Sequence, residues 1–440
     1  MIPVIVALIL AVGMLAPPAI AQPVDTGAVL FVRSYFVLRD EALARPTPET
    51  LLRGADAGLR TVLRDNGQPP SALGPLQLTG DERGDLSQLL QRIEQAQRMV
   101  RARPIAVTYG AVSGMVAAVQ DPNTVFYVPE AFAEVFRRIM GEDNFVGIGI
   151  VIQERAGQVV IIEVLDETPA SESGLRAGDM ILAVNGVSTA RLGLDQVSQM
   201  IRGAAGTEVV LRIQRSGQVE PLTLTLTRRR IQPRVVSARM LPSGVGYLRL
   251  MEFPLGSDDL FAEGLRSLIE QGARGIVLDL RGNPGGLLDA SVNIASHFLE
   301  RGVVVTVETG RGQTITHLVQ PRDPKYTGPL VVLVDRGSAS ASEVVAGALQ
   351  DAGIKLVGTR TYGKATVQYV HGPFPDGSGL RVTFARYLTP AGRDIDGRGL
   401  SPDVEVATDG VPIGSPDDAP LNRAVAILQQ SMAVLPRAAP

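Results

Sequence analysis

Apolar positions recur with a helical period over residues 51–64 and 105–119, two runs rich in Ala, Leu, Val and Arg. Most of 25–140 is therefore predicted helical. Two segments there, LLRGADAGLRTVLRDNG and VTYGAVSGMVAAVQDPN, echo one another faintly. Residues 68–79 between them are rich in Pro, Gly and Ser and read as a loop. From residue 144 the texture changes to short β runs at 146–153, 159–165, 180–184, 208–214 and 222–226, separated by turn residues. One amphipathic helix, 194–201, carries Leu194, Val197 and Ile201 on one face. A β-rich module of fewer than a hundred residues follows. After Arg228-Arg229-Arg230 the pattern alternates: strands 245–249, 275–280 and 330–334 precede helices 259–270, 288–299 and 340–349. That alternation predicts a mixed or parallel α/β sheet. A last helix is expected at 420–435. The Arg triplet is too short a run to predict more than a solvated hinge.

At 440 residues the chain has room for two or three domains. A net charge of −3 leaves no basic field and argues against a nucleic-acid partner. Residues 1–21 form an apolar run ending in Ala19-Ile20-Ala21, which predicts a secretory signal cleaved after Ala21, although Lys and Arg are missing ahead of the run. The run stops at Ala16, before Pro17-Pro18, short of the ~20 residues of a membrane span. The expected location is the periplasm or another exported compartment, with membrane proximity if the signal stays uncleaved. The chain has no Cys and three His. No HExxH occurs, so neither a metal nor another cofactor is expected.

The candidate chemistry lies between residues 337 and 368. Ser338, Ser340 and Ser342 alternate with Ala where an apolar strand gives way to a helix. The unpaired amides of a helix start, that of Ala341 among them, can face an oxyanion forming beside Ser340. One serine could simply cap the helix. A serine nucleophile needs a base. Arg cannot serve, which leaves Lys364, between Gly363 and Ala365, if burial lowers its pKa, or less conveniently His297, His317 or His371. A second turn, Asp279-Leu280-Arg281-Gly282-Asn283-Pro284-Gly285-Gly286, also follows a strand, and Gly285 and Gly286 can expose amides. The spacing Gly358–Gly363-Lys364 also fits a phosphate-binding loop, but 366–370 reads as a strand where that loop needs a helix.

SASASE followed by TYGKATVQ and preceded by DLRGNPGG resembles the carboxy-terminal processing (tail-specific) proteases. GEDNFVGIGI (141–150), TPASESGLRAGDMILAVNG (168–186) and GRDIDGRGLSPDVEV (392–406) extend the resemblance over 105–406. It departs at Ala365 and Thr359, where the family usually has Gly and Glu. The resemblance implies a multidomain α/β protein: a helical N-terminal region (22–130), a PDZ module (131–228), a Ser–Lys protease core of ClpP/crotonase-like fold (229–406) and a C-terminal helical tail (407–440). It implies Ser340 as nucleophile, Lys364 as base, Gln368 as orienter of the lysine, and the amides of Gly286 (or Gly285) and Ala341 as oxyanion hole. In the PDZ module, Gly147, Ile148, Gly149 and Ile150 would bind a peptide's terminal carboxylate, and Ile148, Ile150, Leu194, Val197 and Ile201 would line a side-chain pocket. The implied partners are protein substrates with free apolar C-termini. A nucleotide-binding protein and a catalytically silent PDZ adaptor are the alternatives.

Overall fold

The computed structural model describes residues 26–434, except 143, 144, 156, 166, 232, 233, 408–410 and 412. The expected signal segment, 1–21, lies outside the described residues. The described residues form two compact units: 26–40, 46–120 and 374–376 make the first, and the remaining described residues the second.

The first unit is built of helices Pro48–Asp65, Glu82–Met99 and Pro104–Val119 with most of Thr26–Glu41. Thr47 caps Pro48–Asp65 by accepting from the Thr50 amide, and Pro48 opens the helix where its missing N–H costs nothing. The faint echo has a packing cause. Gly54 and Gly58 meet Gly114 and Gly110 so closely that a Cβ on Gly58 would lie 2.0 Å from the Gly110 oxygen, and one on Gly114 2.2 Å from the Gly54 oxygen. Each segment supplies glycines four apart because each must let the other's backbone in. The expected loop contains a short 3₁₀ turn, Pro70–Leu73, held by buried Arg92, which also pairs with Asp56.

The second unit contains a six-strand antiparallel module, Ile150–Arg155, Gln158–Val164, Met180–Val184, Val187–Ser188, Glu208–Gln214 and Leu222–Thr227, closed by helix Leu194–Ile201, whose Val197 packs with Ile161, Ile181, Leu211 and Ile213. The single strand expected at 146–153 is two. Phe145–Gly147 pairs with Arg229–Ile231, and Ile150–Arg155 pairs with Gln158–Val164. The break falls at Gly149, whose φ of +84° and contact with Thr168 admit no side chain. Of the Arg triplet expected as a solvated hinge, Arg229 and Arg230 are exposed, and only Arg228 differs. Arg228 is buried and donates to the oxygens of Met200, Ile201 and Glu208, pinning the helix end.

The rest of this unit is built on a six-strand sheet ordered Val236–Met240, Val245–Leu250, Gly275–Asp279, Leu330–Val334, Lys355–Gly358 and Val404–Glu405, parallel after its first pair. Alternate residues face opposite layers. Leu248, Leu278 and Val332 meet helices Ser257–Glu270, Leu288–Ser296 and Ala341–Asp351. Tyr247, Val277 and Leu333 meet Leu421, Ala424 and Leu428 of helix Ala419–Val434. The segment expected as a tail thus covers one face of the sheet. A second sheet, not read from the sequence, joins Val125–Tyr127, Gly379–Leu388, Val303–Thr309 and Thr314–Leu318, with Thr366–His371 pairing on Gly379–Leu388. Among the described residues no helix is long and apolar enough to cross a membrane.

Candidate active site

Strand Leu330–Val334 ends beside Gly275–Asp279, so the turns following both strands emerge at the same end of the parallel sheet. The two turns are stitched together. Asp335 Oδ1 accepts from the amides of Gly282 and Gly337. Ser338 Oγ donates to the Leu280 oxygen, and Ser342 Oγ to the Asn283 oxygen, which also accepts from the Ala339 amide. Asn283 in turn donates to the Leu250 oxygen and accepts from the Gly285 amide. Two of the three serines are therefore spent on structure. The Ser340 hydroxyl has no hydrogen-bond partner among the described residues, and it does not cap its helix. Ser340 sits at φ 55°, ψ −117°, a strained conformation for a residue with a side chain. Helix Ala341–Asp351 starts directly after it.

Gly285 and Gly286 close on this turn. A Cβ on Gly285 would lie 2.8 Å from the Ser340 Cβ and 2.9 Å from the Ala341 nitrogen, and one on Gly286 2.4 Å from the Phe253 oxygen. Only glycine permits that approach, at φ 101° and 149°. Among the described residues the Gly286 and Ala341 amides donate to no acceptor, whereas the Gly285 amide is taken by Asn283. Gly286, not Gly285, is thus the glycine with a free N–H.

Lys364 lies on the turn before strand Thr366–His371. Its Nζ donates to Gln368 Oε1 at 2.7 Å and to the Thr366 oxygen at 3.3 Å. The Gln368 amide nitrogen donates to the hydroxyls of Thr366 and Thr383, which turns the oxygen toward the lysine. Burial, with the nearby Arg381 charge, pulls Lys364 down to about 8, against weaker opposing pulls from Glu343, Asp121 and Asp396. Ala365 does not have a positive φ; its side chain is buried and its amide donates to Asp396. The backbone beyond the lysine therefore tolerates alanine. No hydrogen bond joins Ser340 Oγ to Lys364 Nζ.

The link between serine and lysine is Glu343, which sequence reasoning missed. It is fully buried. One carboxylate oxygen accepts from the Ser340 and Lys364 amides, each at 2.9 Å, and the other from Thr361 Oγ1 and the Gly363 amide. Its signal was a carboxylate three residues after a helix-start serine, the spacing that lets a side chain reach back to the cap. Tyr387 adds a second link, its hydroxyl lying 3.1 Å from the Ser340 oxygen and 2.9 Å from the Lys364 oxygen.

The histidines lie elsewhere in the hydrogen-bond network. His297 is buried with Nδ1 on the Pro324 oxygen, His317 is on strand Thr314–Leu318, and His371 pairs with Glu41. The phosphate-loop alternative fails on geometry, since a strand, not a helix, follows Lys364. In the PDZ module a cavity of about 70 Å³ is lined by Gly147, Ile148, Gly149, Ile150, Ile152, Ser198, Ile201 and Arg202. Leu194 and Val197 do not line it. Val197 lies in the module's core cluster, as do Ile148 and Ile201.

The sequence pattern of peptidase family S41 matches residues 244–406, and that of a PDZ domain 160–215. The carboxyl-terminal-processing protease of Synechocystis sp. is 37% identical over 353 residues, covering 78% of this chain and 82% of the relative. The chain belongs to the carboxyl-terminal-processing proteases of family S41. Another member of this family, the chloroplastic C-terminal processing peptidase of Tetradesmus obliquus, is 37% identical over 323 residues, 70% of this chain and 69% of its own. The solved photosystem II D1 C-terminal processing protease has 31% identity and a TM-score of 0.53, covering 91% of this chain and 97% of that one. The present S41 protein is thus a serine peptidase with a PDZ domain, and the site above lies within its peptidase segment.

Proposed function

We propose that this protease is exported and cleaves polypeptides near their C-terminus through Ser340 and Lys364, with the PDZ module holding the substrate's tail. The observation carrying the reading is that Glu343 binds the serine and lysine turns together around a hydroxyl with no other duty and a lysine held near neutrality. A neutral amine has two N–H bonds and one lone pair. Gln368 and the Thr366 oxygen occupy the N–H bonds, which leaves the lone pair to take the Ser340 proton.

Ser340 Oγ then attacks the scissile carbonyl, and the Gly286 and Ala341 amides receive the oxyanion. The lysine ammonium returns its proton to the departing amine, which leaves an acyl-enzyme on Ser340. Water then attacks the acyl carbonyl as it loses a proton to Lys364; the C–Oγ bond breaks, the new carboxylic acid product leaves, and Lys364 returns the proton to Ser340 Oγ. The PDZ cavity at Gly147–Ile150 is small and lined by Ile148, Ile150, Ile152 and Ile201 with Ser198 and Arg202, which suits an apolar last side chain beside a free carboxylate. Domains with these roles would span 22–130, 131–228, 229–406 and 407–440. The test is cleavage of an unfolded polypeptide with a free apolar terminus. Ser340→Ala should abolish turnover with an unchanged melting curve, while Ser338→Ala and Ser342→Ala weaken the turn. Activity that survives Ser340→Ala and disappears with another serine would move the nucleophile.

A further inference from the structure

The Arg run that the sequence left as a hinge borders a cavity. A space of about 610 Å³ lies between the PDZ strand Gln158–Val164, with the loop beyond it, and the catalytic strands Val236–Met240 and Val245–Leu250. Arg229, Arg230, Arg234, Arg239 and Arg249 line it, against Glu163 and Glu167. The carboxylates are already committed, Glu163 to Arg249 and Glu167 to Arg234. Arg229 pairs with Glu172. Arg230 and Arg239 have no carboxylate partner among the described residues. Arg230 has no partner among the described residues. Arg239 has only the Gly414 oxygen and the face of Tyr247. Arg249 keeps a buried Nε with no acceptor.

This space continues into a second of about 670 Å³, sharing Ile162, Glu163, Arg234, Arg249 and Met251, and the second reaches Gly282, Pro284 and Gly337 on the two turns that carry the site. The catalytic end carries charges of both signs in equal number, Arg138 and Arg336 with Glu252 and Asp335. Net positive charge is thus concentrated at the end away from the nucleophile, where five arginines face two glutamates. A compact ion would fill little of so long an open cleft, whereas an extended chain running from Ser340 would follow it.

We infer that this cleft is a specificity subsite for acidic side chains, seating Asp or Glu of the substrate segment displaced from the scissile bond, with Arg230 and Arg239 as the selecting residues. The inference rests on the protease reading for its substrate but has its own measurement. Three peptides would share a cleavable sequence and free apolar terminus and differ only in a Glu-Glu, Gln-Gln or Lys-Lys pair in the intervening segment. The Glu-Glu peptide should exceed the Lys-Lys peptide roughly ten-fold in kcat/KM at low salt, the gap narrowing at ~1 M salt as screening sets in.

In Arg230→Ala/Arg239→Ala the ratio should fall toward one, and in Arg230→Glu it should move toward the Lys-Lys peptide. Binding of the same labelled peptides to Ser340→Ala, read by fluorescence anisotropy, should show the same order. Equal kcat/KM and equal binding for all three peptides would overturn the subsite and leave the protease reading standing. Failure to cleave any of them, with acidic-selective binding intact, would overturn the protease reading and leave the subsite. A ratio unchanged in both Arg variants would also overturn the assignment.

Discussion

At the residue scale the decisive property is the cost of Lys364. Burial disfavours its charged form, so its pKa drops to about 8 from the ordinary 10.5. The consequences for rate and stability have opposite value near neutrality. A general base must be deprotonated, so kcat/KM should rise with pH through a midpoint near 8. For stability, the unfolded chain binds more protons than the native one between the two pKa values. Stability from this group therefore increases with pH across that window, and below it the native state carries the full penalty. Lys364→Met should be inactive yet more stable at pH 7, by up to ~3 kcal/mol, with the gain vanishing above about pH 10.5. Parallel pH–rate profiles and pH-dependent melts check both halves. A flat rate profile between pH 6 and 9 would remove Lys364 as base.

Part of this was legible in the sequence. The three serines stood out because they alternate with alanine and Lys364 because lysine is scarce, whereas the choice of Ser340 among them and the role of Gln368 came only from the resemblance. Which serine is unspent was not legible from the residues alone, because Ser338 and Ser342 are committed to oxygens of a turn more than fifty residues earlier. Nor was Val197's inward turn, since one helical face can meet either a core or a groove.

At the element scale, the helix start at Ser340 and the turn before Thr366–His371 act as one piece because a single carboxylate serves both. Glu343→Gln tests this. Glutamine keeps the size but replaces one oxygen with an amine. One pair of donors, Ser340 and Lys364 or Thr361 and Gly363, then faces an N–H₂ instead of an acceptor. Losing two charge-assisted bonds costs about 3 kcal/mol or more, so kcat should fall on the order of a hundred-fold with KM nearly unchanged. A full-rate Gln variant would show the two turns held by other means. Elements with strong apolar runs, such as Leu330–Val334 and Met180–Val184, were read to the residue. Gly379–Leu388 was overlooked because its Arg and Tyr residues interrupt any clean alternation, and its place is set by pairing with strands distant in sequence.

At the scale of the whole molecule, the catalytic sheet is finished from outside the segment that matches the peptidase family. Arg281, five residues before Gly286, is completely buried between Asp279 and Asp418, and Asp418 also accepts the Gly414 and Leu421 amides at the start of helix Ala419–Val434. Removing one partner of such a buried pair costs several kcal/mol. A chain ending at 410 should therefore be insoluble or inactive. Asp418→Asn, which keeps the shape, should melt lower yet retain measurable turnover; a fully active 410 truncation would contradict this.

That arrangement sets an order in time. Synthesis runs from residue 1 onward, so Ser340, Lys364 and Gln368 leave the ribosome well before Asp418. Until residue 428 is made, Val277 and Leu333 have no cover and Arg281 only one counter-charge. A nascent chain thus holds the proposed reacting groups without the support that fixes the Gly285–Gly286 turn. Full competence should therefore wait for helix Ala419–Val434 to dock, and a chain released before that point should cut poorly while it is itself an extended polypeptide.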